Sequence, residues 1–202
     1  MPTPTGPAGG ITRYTLVAIV LHWLIALGVL ALIGMGLVMD HRHLDPMRVF
    51  QLYQEHKSIG ITVMFLIFLR IGWRLAHPAP ALPQDMPPLE KKAAHLAHAA
   101  LYGFQLLLPL SGWAMVSVSV LGIPTVLFGT IPWPDMPILS TLSNKEPVEA
   151  ALKQLHHWAS WVFLAVIILH VAAALRHRFV LHDQVFRQML PFARTSSPHH
   201  QK

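Results

Sequence analysis

Four long apolar runs, separated by polar or proline-rich stretches, set the pattern of this 202-residue chain. They cover roughly Tyr14–Met39, His56–Leu75, Ala93–Val120 and Leu152–Leu175. Each reaches the about 20 residues that an α-helix needs to cross about 30 Å of hydrocarbon, so the pattern predicts four spanning helices. The first loop, DHRHLDPMRVFQLYQE, is short and polar. The second, HPAPALPQDMPPLEKK, is rich in prolines that stop the second helix and delay the third. The third, about 121–151, is the longest, and its first part, LGIPTVLFGTIPWPDMP, is apolar. That part is expected to fold back as a cap over one end of the bundle, with a short amphipathic helix near Glu146–Lys153.

Composition removes the soluble alternative. The chain is 53% hydrophobic and 12% charged, with a mean hydropathy of +0.48, more apolar surface than a soluble domain of this size could bury. The expected fold is therefore all-α, an integral membrane four-helix bundle over residues 14–191. Residues 1–13 and 192–202 are expected to be disordered tails. The first run is too long for the core of a signal peptide and meets no small-residue cleavage site before Asp40, so it is read as a retained helix.

Charge orients the bundle. With four spans, the N-terminus, the second loop and the C-terminus share a side, which carries ten Lys and Arg against three acids. The other side carries five against six, so the net charges are +7 and −1. The positive-inside rule places both termini in the cytoplasm. The pI near 10.1 reflects this asymmetry; with no basic stripe or aromatic–basic repeat, nucleic-acid binding is not expected. The absence of cysteine excludes disulfides, iron–sulfur clusters, thiolate zinc sites and covalently attached haem.

Histidine is what the apolar pattern leaves unexplained. His156 and His170 lie in one run, KQLHHWASWVFLAVIILHVAAAL, fourteen residues apart. At about 100° and about 1.5 Å per residue they share a helix face and sit about 21 Å apart. His22 lies about nine residues into the first helix and His56 begins the second. Antiparallel counting pairs His22 with His170 toward the cytoplasmic side and His56 with His156 toward the other. A single membrane histidine is more often a hydrogen-bonding residue than a ligand. Four at matching depths, two of them on one face, point to two bis-histidine haems b. His157 competes with His156, but only His156 keeps phase with His170.

Other residues fit that scheme. Gly60, one turn past His56, would let a flat macrocycle approach the backbone, and Arg70 and Arg74 would pair with haem propionates. Lys153 stands at the outer mouth beside His156. His95 and His98, with Tyr102, mark the inner end of the third helix, as a polar edge or as contacts for a propionate or quinone. His177 lies just past His170, close to the inner site.

The segments YTLVAIVLHWL, QEHKSIGITV followed by RIGWR, AHLAHAALYGFQLLLPLSGWAM, LKQLHHW and LHVAAALRH together resemble the bacterial cytochrome b561 family, from about Tyr14 to Pro191. The member type most similar is the superoxide oxidase, a superoxide:ubiquinone oxidoreductase of the bacterial inner membrane. The resemblance implies two haems b on His22, His56, His156 and His170. It implies a superoxide-facing Lys153 and His156 at the periplasmic face. It also implies a ubiquinone headgroup near His177, with His95 and His98 as further candidates. The paired His157–Trp158 and the longer tail depart from the family pattern. The outer side's net −1 gives no global attraction for an anion, so a local patch of Arg48, Lys57, Lys145, Lys153 and His157 would have to supply it. Two other functions remain open at this stage. One is a cytochrome b relay that anchors a redox partner subunit, such as a hydrogenase or dehydrogenase, to the quinone pool. The other is a haem-free, histidine-lined metal or proton transporter.

Overall fold

The computed structural model describes residues 13–39, 45–81, 86–183 and 185–190. The two expected tails fall on residues 1–13 and 192–202, which apart from Arg13 lie outside the described residues, as do His41, His43, His199 and His200. Four helices are long and apolar enough to cross a membrane: α1 (Leu16–Met39), α2 (Pro46–Ala76), α3 (Pro88–Ser117) and α5 (Glu146–Phe179). Between α3 and α5 lie β1 (Thr125–Leu127), β2 (Ile131–Trp133) and the single turn α4 (Pro137–Ser140).

Two helix starts differ from expectation. α2 begins ten residues before His56, inside what reads as a polar loop. Its cause is local: the Asp45 carboxylate accepts from the Met47 and Arg48 N–H groups at 2.9 and 3.4 Å, and Pro46 occupies the first helical position. Likewise, no separate helix forms at Glu146–Lys153. That stretch is the first two turns of α5, so the fourth helix runs unbroken over 34 residues.

The helices pack mainly as two antiparallel pairs, α1 with α2 and α3 with α5, joined through α2 against α3. Ile25, Val29, Val63, Ile67, Leu101 and Phe163 form the buried core between them. Apolar side chains gain little from leaving lipid, so helices in a membrane associate through close packing, which small residues permit. Gly28 does this for α1 and α2: a Cβ there would lie 2.5 Å from Val63 Cγ2.

The third loop does fold back, and it does so as a hairpin. β1 and β2 pair antiparallel with Thr125 opposite Trp133 and Leu127 opposite Ile131, turning through Phe128 (φ 50°) and Gly129 (φ 72°). Leu127 packs on Ile61 and Met64 of α2, and Trp133 meets the Phe65 and Trp113 rings at 5.8 and 5.5 Å. Polar side chains of the helices stitch the loop backbone down. Gln54 and Lys57 donate to Pro124 O (3.3 and 3.5 Å), Ser58 Oγ accepts from Phe128 N (3.0 Å) and Trp113 donates to Pro134 O (2.9 Å). Ser117 Oγ accepts from Met136 N (2.9 Å), and Glu149 accepts from Val120 N (2.8 Å).

At the opposite end the chain turns back after α5 into a 3₁₀ turn, Phe186–Met189. This strap is clipped to α1: Arg13 donates to Leu190 O at 2.5 Å and Trp23 to Met189 O at 2.9 Å. The first and last described residues therefore meet at one end of the bundle. Replacing Gly28 with Leu should force α1 from α2 and cost about 1–3 kcal/mol, read as a lower midpoint of unfolding in detergent. An unchanged midpoint would show that α1 slides without loss.

Candidate functional site

One face of α5 carries the site. His156, Phe163, His170 and His177 follow at seven-residue intervals and so lie nearly in line along the helix. Across from His170 stands His22 of α1, the two ring centres 6.4 Å apart and the ring planes at 69°. Across from His156 stands His56 of α2, with the same 6.4 Å and 69°. Between the two levels Phe163, 3% exposed, stacks on Phe104 of α3 with centres 5.9 Å apart.

These distances can be set against a ligand. Two imidazoles bonded to one metal from opposite sides place their ring centres about 6.4 Å apart, from a bond of about 2 Å and about 1.2 Å from nitrogen to ring centre on each side. Both pairs match. No cluster of three or more His, Asp or Glu among the described residues is arranged to hold a bare ion. Two protein ligands alone leave a metal under-coordinated, whereas a porphyrin supplies four equatorial nitrogens and needs only two axial ones. His56 Nδ1 is buried without a hydrogen-bond partner among the described residues, as a nitrogen reserved for something other than protein would be. The residues present therefore fit haem iron.

The His56–His156 pair opens on a cavity of about 380 Å³ whose wall includes Gly60, Phe104, Gly112, Trp161 and Phe163. Sequence reasoning had missed the support behind His156. Ser111 Oγ donates to Leu108 O at 3.0 Å and meets His156 Nδ1 at 3.0 Å, so the ring donates from Nδ1 and turns Nε2 to the cavity. Gly112 lets the ring lie against α3, since a Cβ there would stand 3.4 Å from His156 Cε1. The signal was a Ser–Gly pair in an otherwise bulky apolar run; it could have marked the spot, but not the partner. Gly60 lines the cavity with only Leu32 near its missing Cβ, at 4.0 Å. Lys57, Lys153 and His157 line the mouth. Lys153, its side chain 59% exposed, is paired at 2.6 Å with Glu149, whose side chain is 7% exposed and which sequence reasoning left unassigned.

At the other level Arg70 donates to Ala18 O of α1 at 2.8 Å. Arg74 lies over the Tyr14 ring at 5.8 Å. Both arginines line a small pocket of about 50 Å³ with Arg13, Thr15, Trp73 and Tyr102. His98 approaches His170, ring centres 5.8 Å apart, so it belongs beside this pair. His95 is exposed on α3. His177 is held by Asp183, Nδ1 to Oδ2 at 2.5 Å.

Four spanning-length helices enclosing two opposed imidazole pairs define a membrane cytochrome of the b type. The family described as prokaryotic cytochrome b561 matches residues 13–192, and the chain belongs to that family of transmembrane haem b electron-transfer proteins. It is 29% identical over 178 residues to cytochrome b561 homolog 2 of Escherichia coli (strain K12), covering 88% of this chain and 91% of that one. Against the protein of Yersinia pestis named probable superoxide oxidase CybB it is 30% identical over 181 residues, covering 89% and 96%. Cytochrome b561 homolog 1 of Escherichia coli (strain K12) is 28% identical over 183 residues, covering 89% and 97%. The chain is thus a multi-pass bacterial membrane protein.

Because Ser111 orients His156 from behind, Ser111→Ala should weaken haem retention at the His56–His156 level by about tenfold or more. Haem titration of the stripped protein checks this, and unchanged affinity would make Ser111 a mere helix-packing residue.

Proposed function

We propose that this protein is a di-haem cytochrome of the bacterial inner membrane that passes electrons from superoxide outside to ubiquinone near the cytoplasmic side. The observation that carries the reading is the pair of imidazole pairs, each 6.4 Å across, at two depths of one bundle. His22 with His170 would hold one haem iron and His56 with His156 the other. Bound haem iron supplies one-electron chemistry, cycling between ferrous and ferric states. The balance needs two superoxide ions, each leaving as dioxygen after losing one electron, for each ubiquinone that takes two electrons and two protons to become ubiquinol. The relative from Yersinia pestis named as a probable superoxide oxidase supports this choice of donor. The +7 against −1 charge asymmetry supports cytoplasmic termini, so the hairpin end faces the periplasm.

The chain's own residues have distinct tasks in this reading. Ser111 and Gly112 set the orientation of His156. Phe163 and Phe104 stack between the two levels and give the cavity an apolar wall. Arg70 and Arg74 anchor propionates at the cytoplasmic level, with Arg70 also tying α2 to α1 through Ala18 O. Lys57, Lys153 and His157 offer a superoxide anion local positive charge at the cavity mouth. Glu149 takes part of that charge from Lys153, so the attraction is short in range.

The purified, haem-supplemented protein should bind two haems with low-spin b-type spectra. His156→Ala should remove only the periplasmic one and His22→Ala only the cytoplasmic one. Loss of both, or of neither, in either variant would break the assignment of ligands. Lys153→Glu would put two carboxylates at the mouth; it should slow the superoxide reaction by about tenfold and abolish its slowing by salt, with haem content unchanged. A rate and salt dependence like the wild type would remove Lys153 from the donor site. Arg70→Leu with Arg74→Leu should weaken haem retention at the cytoplasmic level or shift its potential, measured by redox titration; unchanged values would make them ordinary positive-inside residues.

A further inference from the structure

His177 continues the histidine face of α5 one heptad beyond His170, about 10 Å further along the axis toward the chain ends. Its side chain is largely shielded, 14% exposed, and the local backbone is built around it. After α5 the chain turns sharply, with Val180 N and Leu181 N both donating to Arg176 O at 2.9 and 3.1 Å and His182 in the left-handed region at φ 53°. This turn delivers Asp183 back onto His177 by two bonds, and a third fixes the carboxylate to the strap. Asp183 N donates to His177 O at 3.2 Å, its Oδ2 accepts from His177 Nδ1 at 2.5 Å, and its Oδ1 accepts from Val185 N at 3.0 Å. The strap that follows is fixed to α1 through Leu190 O and Met189 O.

We propose that Asp183 is a positioning residue that holds His177, through Nδ1, with Nε2 directed as the proton donor to a quinone headgroup at this end of the bundle. The inference rests on the reading above that quinone is reduced near the His22–His170 level. A carboxylate that accepts from one imidazole nitrogen fixes the ring's orientation and leaves the other nitrogen for the proton transfer. In the step itself, the doubly protonated ring gives its Nε2 proton to a quinone carbonyl oxygen. It keeps its Nδ1 proton, hydrogen-bonded to Asp183, and takes a new proton at Nε2 from water at the membrane surface. Two such deliveries, with two electrons that started on two superoxide ions, complete the quinol.

The neighbouring charges are otherwise engaged or on other tasks. Arg176 is paired with Glu90 of α3 at 3.2 Å, Arg178 lies over the Phe179 ring at 5.8 Å, and His182 Nδ1 donates to Val180 O at 3.1 Å. Lys91, Lys92, His95 and His98 of α3, Arg70, Arg74 and His77 at the end of α2, Arg13 before α1 and Arg187 of the strap are further ionisable groups at this end.

Asp183→Asn separates the two roles of the carboxylate. The amide keeps an oxygen for Val185 N, so the strap retains its bond, but the nitrogen that replaces Oδ2 has no lone pair to take the histidine's proton. With both haems and their reduction by superoxide unchanged, His177→Ala and Asp183→Asn should each slow quinone reduction by about tenfold or more, and Asp183→Asn should raise the solvent deuterium isotope effect. Asp183→Glu should recover much of the rate. A slow His177→Ala beside an Asp183→Asn at wild-type rate and isotope effect would overturn the role of Asp183 and leave the quinone site standing. Wild-type quinone reduction in both variants would overturn the quinone reading at this end, and the positioning role with it. A readout that needs no turnover accompanies these: ¹⁵N spectra of labelled histidines should show His177 protonated at Nδ1 in the wild type and lose that signature in Asp183→Asn. Identical spectra would refute the contact.

Discussion

An imidazole inside hydrocarbon needs a partner, and the way this bundle meets that need organises the rest of the chain. The four interior histidines are arranged as two facing pairs, with α5 contributing one member of each. α1 and α2 must therefore present His22 and His56 toward the same face of α5 at different depths, which fixes their register. α3 cannot contribute a ligand at the hairpin level without displacing one. It lies behind α5 instead, with Ser111 and Gly112 shaping the seat of His156. Gly28 lets α1 approach α2 closely, which brings His22 and His56 onto one pair of neighbouring helices.

The two ends of the bundle solve different problems. Irregular backbone near a membrane is tolerated where its polar groups are paired inside the protein. The hairpin meets this condition with side chains drawn from all three neighbouring helices: Gln54, Lys57 and Ser58 of α2, Trp113 and Ser117 of α3, and Glu149 of α5. It thereby roofs one side of the cavity without closing the mouth where Lys57, Lys153 and His157 stand. The other end is held by guanidinium and indole groups reaching backbone carbonyls, Arg70 to Ala18 and Trp23 to Met189. The first ties α2 to α1, and the second ties the strap to the level of His22, whose ring lies 5.5 Å from that of Trp23.

Fourteen residues of α5 separate His156 from His170, so the two imidazole pairs stand at well-separated depths of the bundle. Phe163 sits midway, seven residues from each, buried and stacked on Phe104 of α3. Electron carriers need proximity and a packed medium more than catalytic groups, which is why titratable residues concentrate at the two levels and their surfaces.

The sequence alone determined the class, because hydrophobic run length is a one-dimensional property: four spans, a basic side, and no cysteine to bind anything covalently. It also placed four histidines at compatible depths, since helical rise converts residue counts into distance along a known axis. The heptad phase that chose His156 over His157 is of the same kind. Lateral contacts obey no such rule. That Ser111 stands behind His156, that Glu149 shares its charge with Lys153, and that His98 leans on His170 depend on how the helices turn about their axes. The start of α2 at Pro46 was hidden because polarity there signals a loop, while the Asp45 cap and proline carry the helix into water. The hairpin and the return of Asp183 onto His177 were hidden for a related reason: each is fixed by hydrogen bonds between segments distant in sequence or by a turn with positive φ, which neither hydropathy nor periodicity records. Tertiary structure alone decided those, because only packing brings a donor to a particular acceptor.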